Sequence, residues 1–219
     1  MTNQQILEQA RGFVRSQMEG EGSGHDWWHI VRVVNNAKAI AEKEGGDLFI
    51  IELAALLHDI ADHKFHDGDE EIGARKSQEW LESIGAEPET IEQVCYIVQN
   101  VSFKGGLNKH VMRTVEGKIV QDADRLDALG AIGVARAFAF GGAMGRELYN
   151  PEFKRQEIKT MADVQKNLKT GHTVSHFYEK LLTLKDKMNT MTAGQIAEGR
   201  HTYMEQYLEQ FYAEWEGQA

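Results

Sequence analysis

Among nine histidines and 34 acidic residues, four are candidates to hold a divalent cation together, in the order His29, His58, Asp59, Asp124. His58-Asp59 lies within LFIIELAALLHDIA, a stretch apolar almost throughout. Burying an ionised carboxylate costs several kcal/mol unless a cation or strong donors compensate it. A structural ion pair or a capped turn would meet that need for a lone doublet. The other two candidates widen the reading. His29 stands in HDWWHIVRVV, beside two tryptophans and an apolar stripe, and Asp124 stands in IVQDADRLDALGA beside Val120, Ala128 and Ala131. Two imidazoles and two carboxylates offered from three buried helices form a mixed N/O ligand set. Such a set leaves coordination positions open for water and substrate. Such a site suits hydrolysis, phosphate esters and anhydrides among its substrates, because an ion acidifies water and polarises a phosphoryl oxygen.

Hydrolysis also needs a proton acceptor and positive groups for the developing charge. Asp62 lies one helical turn after His58, placed to act as a general base or to orient water; the alternative is a helix-end carboxylate with no catalytic part. Lys104, in Ser102-Phe103-Lys104-Gly105-Gly106, is the first choice for phosphate binding, because glycines let a backbone approach an anion closely. A plain helix-ending turn would read the same way. Lys64 and Arg125 are second choices, each equally readable as a surface charge or as the partner of a nearby acid. Asp122 is expected to cap the helix that carries Asp124, with an outer role behind that ligand as the alternative. Asp26 is placed to cap a helix starting near Trp27, which leaves His25 at the surface or behind the ligands. Trp27, Trp28 and Phe103 suit core packing more often than a stacking wall for a base.

The elements that must position these groups read as helices. Apolar residues repeat at helical spacing along nearly the whole chain, and there are only two prolines. Helices are expected over about Asn3–Met18 and Trp27–Glu44, the second stopped by Gly45-Gly46. A third starts after Asp47 as N-cap and carries the doublet in its interior; its apolar surface all round marks a buried helix. Further helices are expected near Glu70–Ile84, Glu89–Val101, Asp122–Phe138, Val174–Met188 and Ala193–Trp215, with Pro88 in a first turn. Glu116–Gln121 is ambiguous, and Gly141–Gly171 lacks periodicity, as a lid, a binding loop or a disordered surface loop would. The fold class is therefore all-α, a single-domain bundle over 1–219 with a core near 20–138 and C-terminal helices near 172–217.

Composition narrows the partners. With 24 Lys+Arg against 34 Asp+Glu, the formal charge of -10 repels a nucleic-acid backbone, which argues against long DNA or RNA. No apolar run approaches a membrane span and the N-terminus lacks a secretory pattern, so the expected location is cytoplasmic. The single cysteine, Cys95, falls in step with Ile91, Val94, Val98 and Val101 as a small core residue. Whether the aromatic last helix packs at home or against a second copy leaves monomer and homodimer both open.

The ordered set His29, His58-Asp59, Asp124 resembles that of the HD-domain superfamily of metal-dependent phosphohydrolases. The flanks match as well: H-x-x-R-V at His29-Arg32-Val33, LLHDI around the doublet and ADRL around Asp124. The likeness is nearest to small bacterial HD hydrolases, through Gly24–Val33, Ala55–Asp62, Ser102–Gly106 and Asp122–Gly133. It extends from about residue 20 to the C-terminal helix. The resemblance implies an all-α bundle with a central metal, Mn2+ or Mg2+ before other transition metals. It implies too that Arg32 bridges carboxylates around the site. Nucleotides are the recurrent substrates of such relatives, which implies a nucleoside triphosphate pyrophosphohydrolase. A nucleoside monophosphate phosphatase, a phosphodiesterase or a non-catalytic nucleotide-binding module are the alternatives.

Overall fold

The computed structural model describes residues 1–18, 26–60, 71–102, 111–153, 160, 163, 167 and 170–218. Among these residues there are nine α-helices and no strand, in keeping with the all-α expectation. The chain divides into two compact units, the first ending at Asp124 and the second running from Arg125 to Ala219.

The first unit is built around α3, Leu48–Leu57. Asp47 caps it, its carboxylate accepting from the Phe49 and Ile50 amides, and every residue from Ile50 to Leu57 is buried. Each large apolar side chain this helix removes from water contributes about 1.5–3 kcal/mol to the unit. Helix α1, Asn3–Gln17, starts with a capping box in which the Thr2 and Gln5 side chains bond each other's amides. It packs on α3 with Ala10 and Val14 fully buried. Helix α2, Trp27–Glu44, buries Ile30, Val33 and Ala37 and stops at Gly45, whose φ of 80° suits a residue without a Cβ. Helices α4, Ile72–Ser83, and α5, Pro88–Asn100, pack together, with Pro88 in the first turn as expected.

Two expectations about helix limits fail here. Helix α3 ends at Leu57, so His58 and Asp59 lie in the turn that follows it and not in the helix interior. The ambiguous stretch 116–121 is helical: α6 spans Val115–Asp127, and a separate α7 spans Gly130–Ala143. The single helix expected over 122–138 is therefore broken at Ala128-Leu129.

In the second unit, Gly130 takes a φ of 69°, and a Cβ there would press within 3.1 Å of the Arg200 side chain. A Cβ on Gly133 would come within 2.3 Å of the Ala128 carbonyl oxygen. Both glycines of DALGAIG thus serve the break, where Arg136 pairs with buried Asp127 at 3.0 Å and Arg200 donates to the Leu126 carbonyl. The helix expected over 174–188 is a short α8, Thr173–Glu179, followed by two 3₁₀ turns, Leu181–Thr183 and Lys185–Lys187. Helix α9, Met191–Trp215, packs on α7, and its Tyr207, Phe211, Tyr212 and Trp215 belong to an aromatic cluster with Phe138, Tyr149 and Phe177. The described start of the aperiodic segment is anchored to this cluster, since Tyr149 and Phe153 each meet the His172 ring edge-on at 5.2 Å. No single helix among the described residues is long and apolar enough to cross a membrane.

Candidate metal centre

Each member of the cluster reaches it from a different piece of the first unit. His29 is the third residue of α2 and is fully buried. Asp26 caps that helix as expected, its Oδ1 accepting from the His29 amide at 2.9 Å. His58 closes α3, still in helical conformation, while Asp59 follows in the turn and is half-buried. Asp124 comes from the second half of α6 and is half-buried as well.

Their polar atoms converge without closing on one another. His29 Nε2 lies 3.6 Å from Asp124 Oδ1 and 3.9 Å from Asp59 Oδ2, and His58 Nε2 lies 3.8 Å from Asp124 Oδ1. All three separations exceed hydrogen-bond length. The two imidazoles meet at 65° with centroids 5.3 Å apart. Ligand atoms of His29, His58 and Asp59 all fall within 4.8 Å of one another.

His58 shows what the arrangement suits. Its Nδ1 is 2.8 Å from the Ala55 carbonyl oxygen, which can only accept, so Nδ1 carries the proton. In the neutral ring Nε2 is then a bare lone pair, and this buried atom has no hydrogen-bond partner. Donors bonded to one ion at about 2.1 Å lie about 3.0 Å apart when adjacent and about 4.2 Å apart when opposite. The spans of 3.6–3.9 Å fall between those limits, so the residues fit a shared divalent ion. Oxygen and imidazole donors suit hard and borderline divalent cations and offer nothing to a thiophilic one. Without an ion, burial pulls the His58 pKa down, but the carboxylates of Asp124 and Asp59 outweigh it and raise the value to about 9.

The other residues singled out from the sequence fare differently. Asp62, Lys64, Phe103, Lys104 and His25 lie outside the described residues. Asp122 is fully buried in the middle of α6, so it does not cap the Asp124 helix: that helix begins seven residues earlier, at Val115. Arg32 lies on α2 one turn beyond His29 and is half-buried. The Arg125 guanidinium donates to the Lys187 carbonyl. Trp28 is 60% exposed beside the buried His29, so core packing does not account for it. Cys95 is half-buried, with its thiol donating to the Ala74 carbonyl at 3.6 Å and its pKa pushed up by burial, as suits a packing residue.

Some supporting contacts have no counterpart in the motif. Asn36 donates to the Ala123 carbonyl at 3.4 Å, which ties α2 to the residue preceding Asp124. Gln121, also buried, donates to the Asn100 and Val101 carbonyls at 3.1 and 3.3 Å, which bonds the open end of α5 to α6. The available signal was a polar residue on an apolar helix face, and for Asn36 its place two turns after His29.

Comparison with known proteins follows the same lines. The HD domain family matches residues 27–129. The Bacillus subtilis protein YpgQ is 43% identical over 205 residues, covering 93% of this chain and 90% of YpgQ. A crystal structure of an HD-superfamily hydrolase from Bacillus thuringiensis aligns at 47% identity with a TM-score of 0.75, covering 98% of this chain and 99% of that one. YpgQ in complex with ADP aligns at 38% identity with a TM-score of 0.72, covering 95% and 97%.

Proposed function

This chain belongs to the HD-domain superfamily of metal-dependent phosphohydrolases, and on that premise we propose that it is a nucleoside triphosphate pyrophosphohydrolase whose metal is held by His29, His58, Asp59 and Asp124. The observation that carries the metal assignment is the buried Nε2 of His58, which has no hydrogen-bond partner and lies 3.8 Å from Asp124 Oδ1. The nucleotide is supported by the ADP bound to YpgQ, a relative aligned over nearly the whole chain. Manganese or magnesium is the preferred ion, since no thiolate contributes to the ligand set.

A divalent ion held there supplies Lewis acidity, which makes hydroxide available near neutral pH and withdraws charge from a phosphoryl oxygen. The protein's own groups do the rest. Asp62 accepts the proton of the attacking water. The water oxygen bonds to the α-phosphorus, and the bond from that phosphorus to the bridging oxygen of the β-phosphate breaks. Nucleoside monophosphate and pyrophosphate leave. Lys104, with Lys64 and Arg125, carries the charge of the phosphate chain. Arg32 and Asp122 orient the ligands from behind.

The test is product analysis on metal-stripped protein to which Mn2+ or Mg2+ is restored, with nucleoside tri-, di- and monophosphates as substrates. Metal-dependent pyrophosphate release from triphosphates, lost in Asp59→Ala, is the expected result. Release of inorganic phosphate would instead make the protein a phosphatase at the same site. Absence of turnover with every nucleotide, alongside intact metal binding, would reject nucleotide hydrolysis.

A further inference from the structure

The first amides of a helix have no partner within it, and His29 is one of them, at the third position of α2. Asp26 provides the missing acceptors. Its side-chain Oδ1 takes the His29 amide at 2.9 Å and its carbonyl oxygen takes the same amide at 3.0 Å, with the Ile30 amide at 3.4 Å from that carbonyl. The cap therefore holds the backbone of a cluster residue directly. In the same turn Trp28 is 60% exposed, and Asp26 and Trp27 are half-buried. His29 and Ile30 are the fully buried residues of the described turn.

A turn anchored in this way frays when its cap is lost, and fraying carries the His29 imidazole away from Asp124 and Asp59. Apparent affinity for an ion then falls by the fraction of molecules whose turn remains formed. We propose that Asp26 is a positioning residue for the metal centre: it fixes His29 through the α2 cap while touching neither ion nor substrate. This rests on the reading of His29 as a ligand. The carboxylate has a second possible influence, because the start of α2 carries a partial positive charge that opposes a cation nearby. The choice of variants separates the two.

The experiment is Mn2+ affinity by competition with a chromophoric chelator, for the unmodified chain and for Asp26→Ala, Asp26→Ser, Asp26→Asn and Asp59→Ala, with thermal unfolding of each metal-free variant alongside. Serine and asparagine cap about as well as aspartate but carry no charge, whereas alanine does not cap. The expected result is a measurable loss in Asp26→Ala, of at most about five-fold because that is the whole effect of a lost cap on the turn's equilibrium, with Asp26→Ser and Asp26→Asn close to the unmodified value. Unchanged Mn2+ affinity in Asp26→Ala, even with a lowered melting temperature, would overturn the proposal by making the cap purely structural. Serine and asparagine variants as weak as alanine would overturn it in favour of charge. Full Mn2+ affinity in Asp59→Ala would remove the metal-site reading itself, and the proposal with it.

Discussion

Glu52 and the His29–His58–Asp59–Asp124 cluster set acids into the same first unit in two ways. Glu52 is 6% exposed within α3. Arg11 from α1 reaches one of its oxygens, and the Lys38 ammonium from α2 lies 3.1 Å from the other. Chain cations meet this acid at contact distance, and the result joins three helices. In the cluster, the imidazoles and carboxylates stop 3.6–3.9 Å from one another. A buried acid at contact distance from cations is a fastening. Acids and imidazoles held apart at the span of a coordination sphere leave room for something between them. Burial alone does not distinguish the two cases; separation does.

Substitution in the two places should have opposite effects. His58→Ala and Asp59→Ala are expected to weaken Mn2+ binding by more than about 100-fold, beyond what loss of an outer support costs. Above about pH 9, where the His58 proton is lost, their metal-free melting temperatures should stay close to that of the unmodified chain. Isothermal titration and calorimetric melting measure both. Glu52→Gln should do the reverse, keeping Mn2+ affinity and losing about 1–3 kcal/mol of stability once the partial exposure of Arg11 and Lys38 is discounted. In a chain of this size that corresponds to a fall of about 2–12 °C in melting temperature.

The pH dependence of the metal-free protein sharpens the contrast. The His58 pKa is raised from 6.5 to about 9 by Asp124 and Asp59 against the opposing effect of burial. Its protonation therefore stabilises the fold fully below pH 6.5, and that contribution is lost as pH rises through about 9. Melting temperatures in chelator across pH 6 to 10 should fall over this window, and His58→Ala should remove the fall. Metal binding at pH 7 displaces the same proton, so titrations in buffers of differing ionisation enthalpy should report release of about one proton per ion. The smallest effect belongs to Asn36→Ala. Loss of one long hydrogen bond to the Ala123 carbonyl should weaken Mn2+ by about two-fold, read in the same titration.

Much of the scaffold was legible from residue types. The limits of α2 followed from Asp26 and Gly45, and the start of α3 from Asp47, because caps act locally. The four cluster residues could be named as candidates because ligand chemistry restricts residue type, and the resemblance ordered them; the structure brings their polar atoms within 3.6–3.9 Å. The break between α6 and α7 was not legible. It depends on what Gly130 and Gly133 pack against, the Arg200 side chain and the Ala128 carbonyl, and no periodicity reports such a contact. The misreading of Asp122 as a cap followed from that, since a helix started too late turns a buried interior acid into an end residue. The end of α3 at Leu57 was hidden because the apolar pattern runs on through His58 to Ile60, a residue also buried. Asn36 and Gln121 escaped because their roles lie in carbonyls of distant helices.

One ion shared by these four residues would be seen by anomalous diffraction from crystals grown with Mn2+. The predicted result is a manganese peak bonded to Nε2 of His29 and of His58 and to carboxylate oxygens of Asp59 and Asp124. A peak elsewhere, or none at saturating Mn2+, would contradict it.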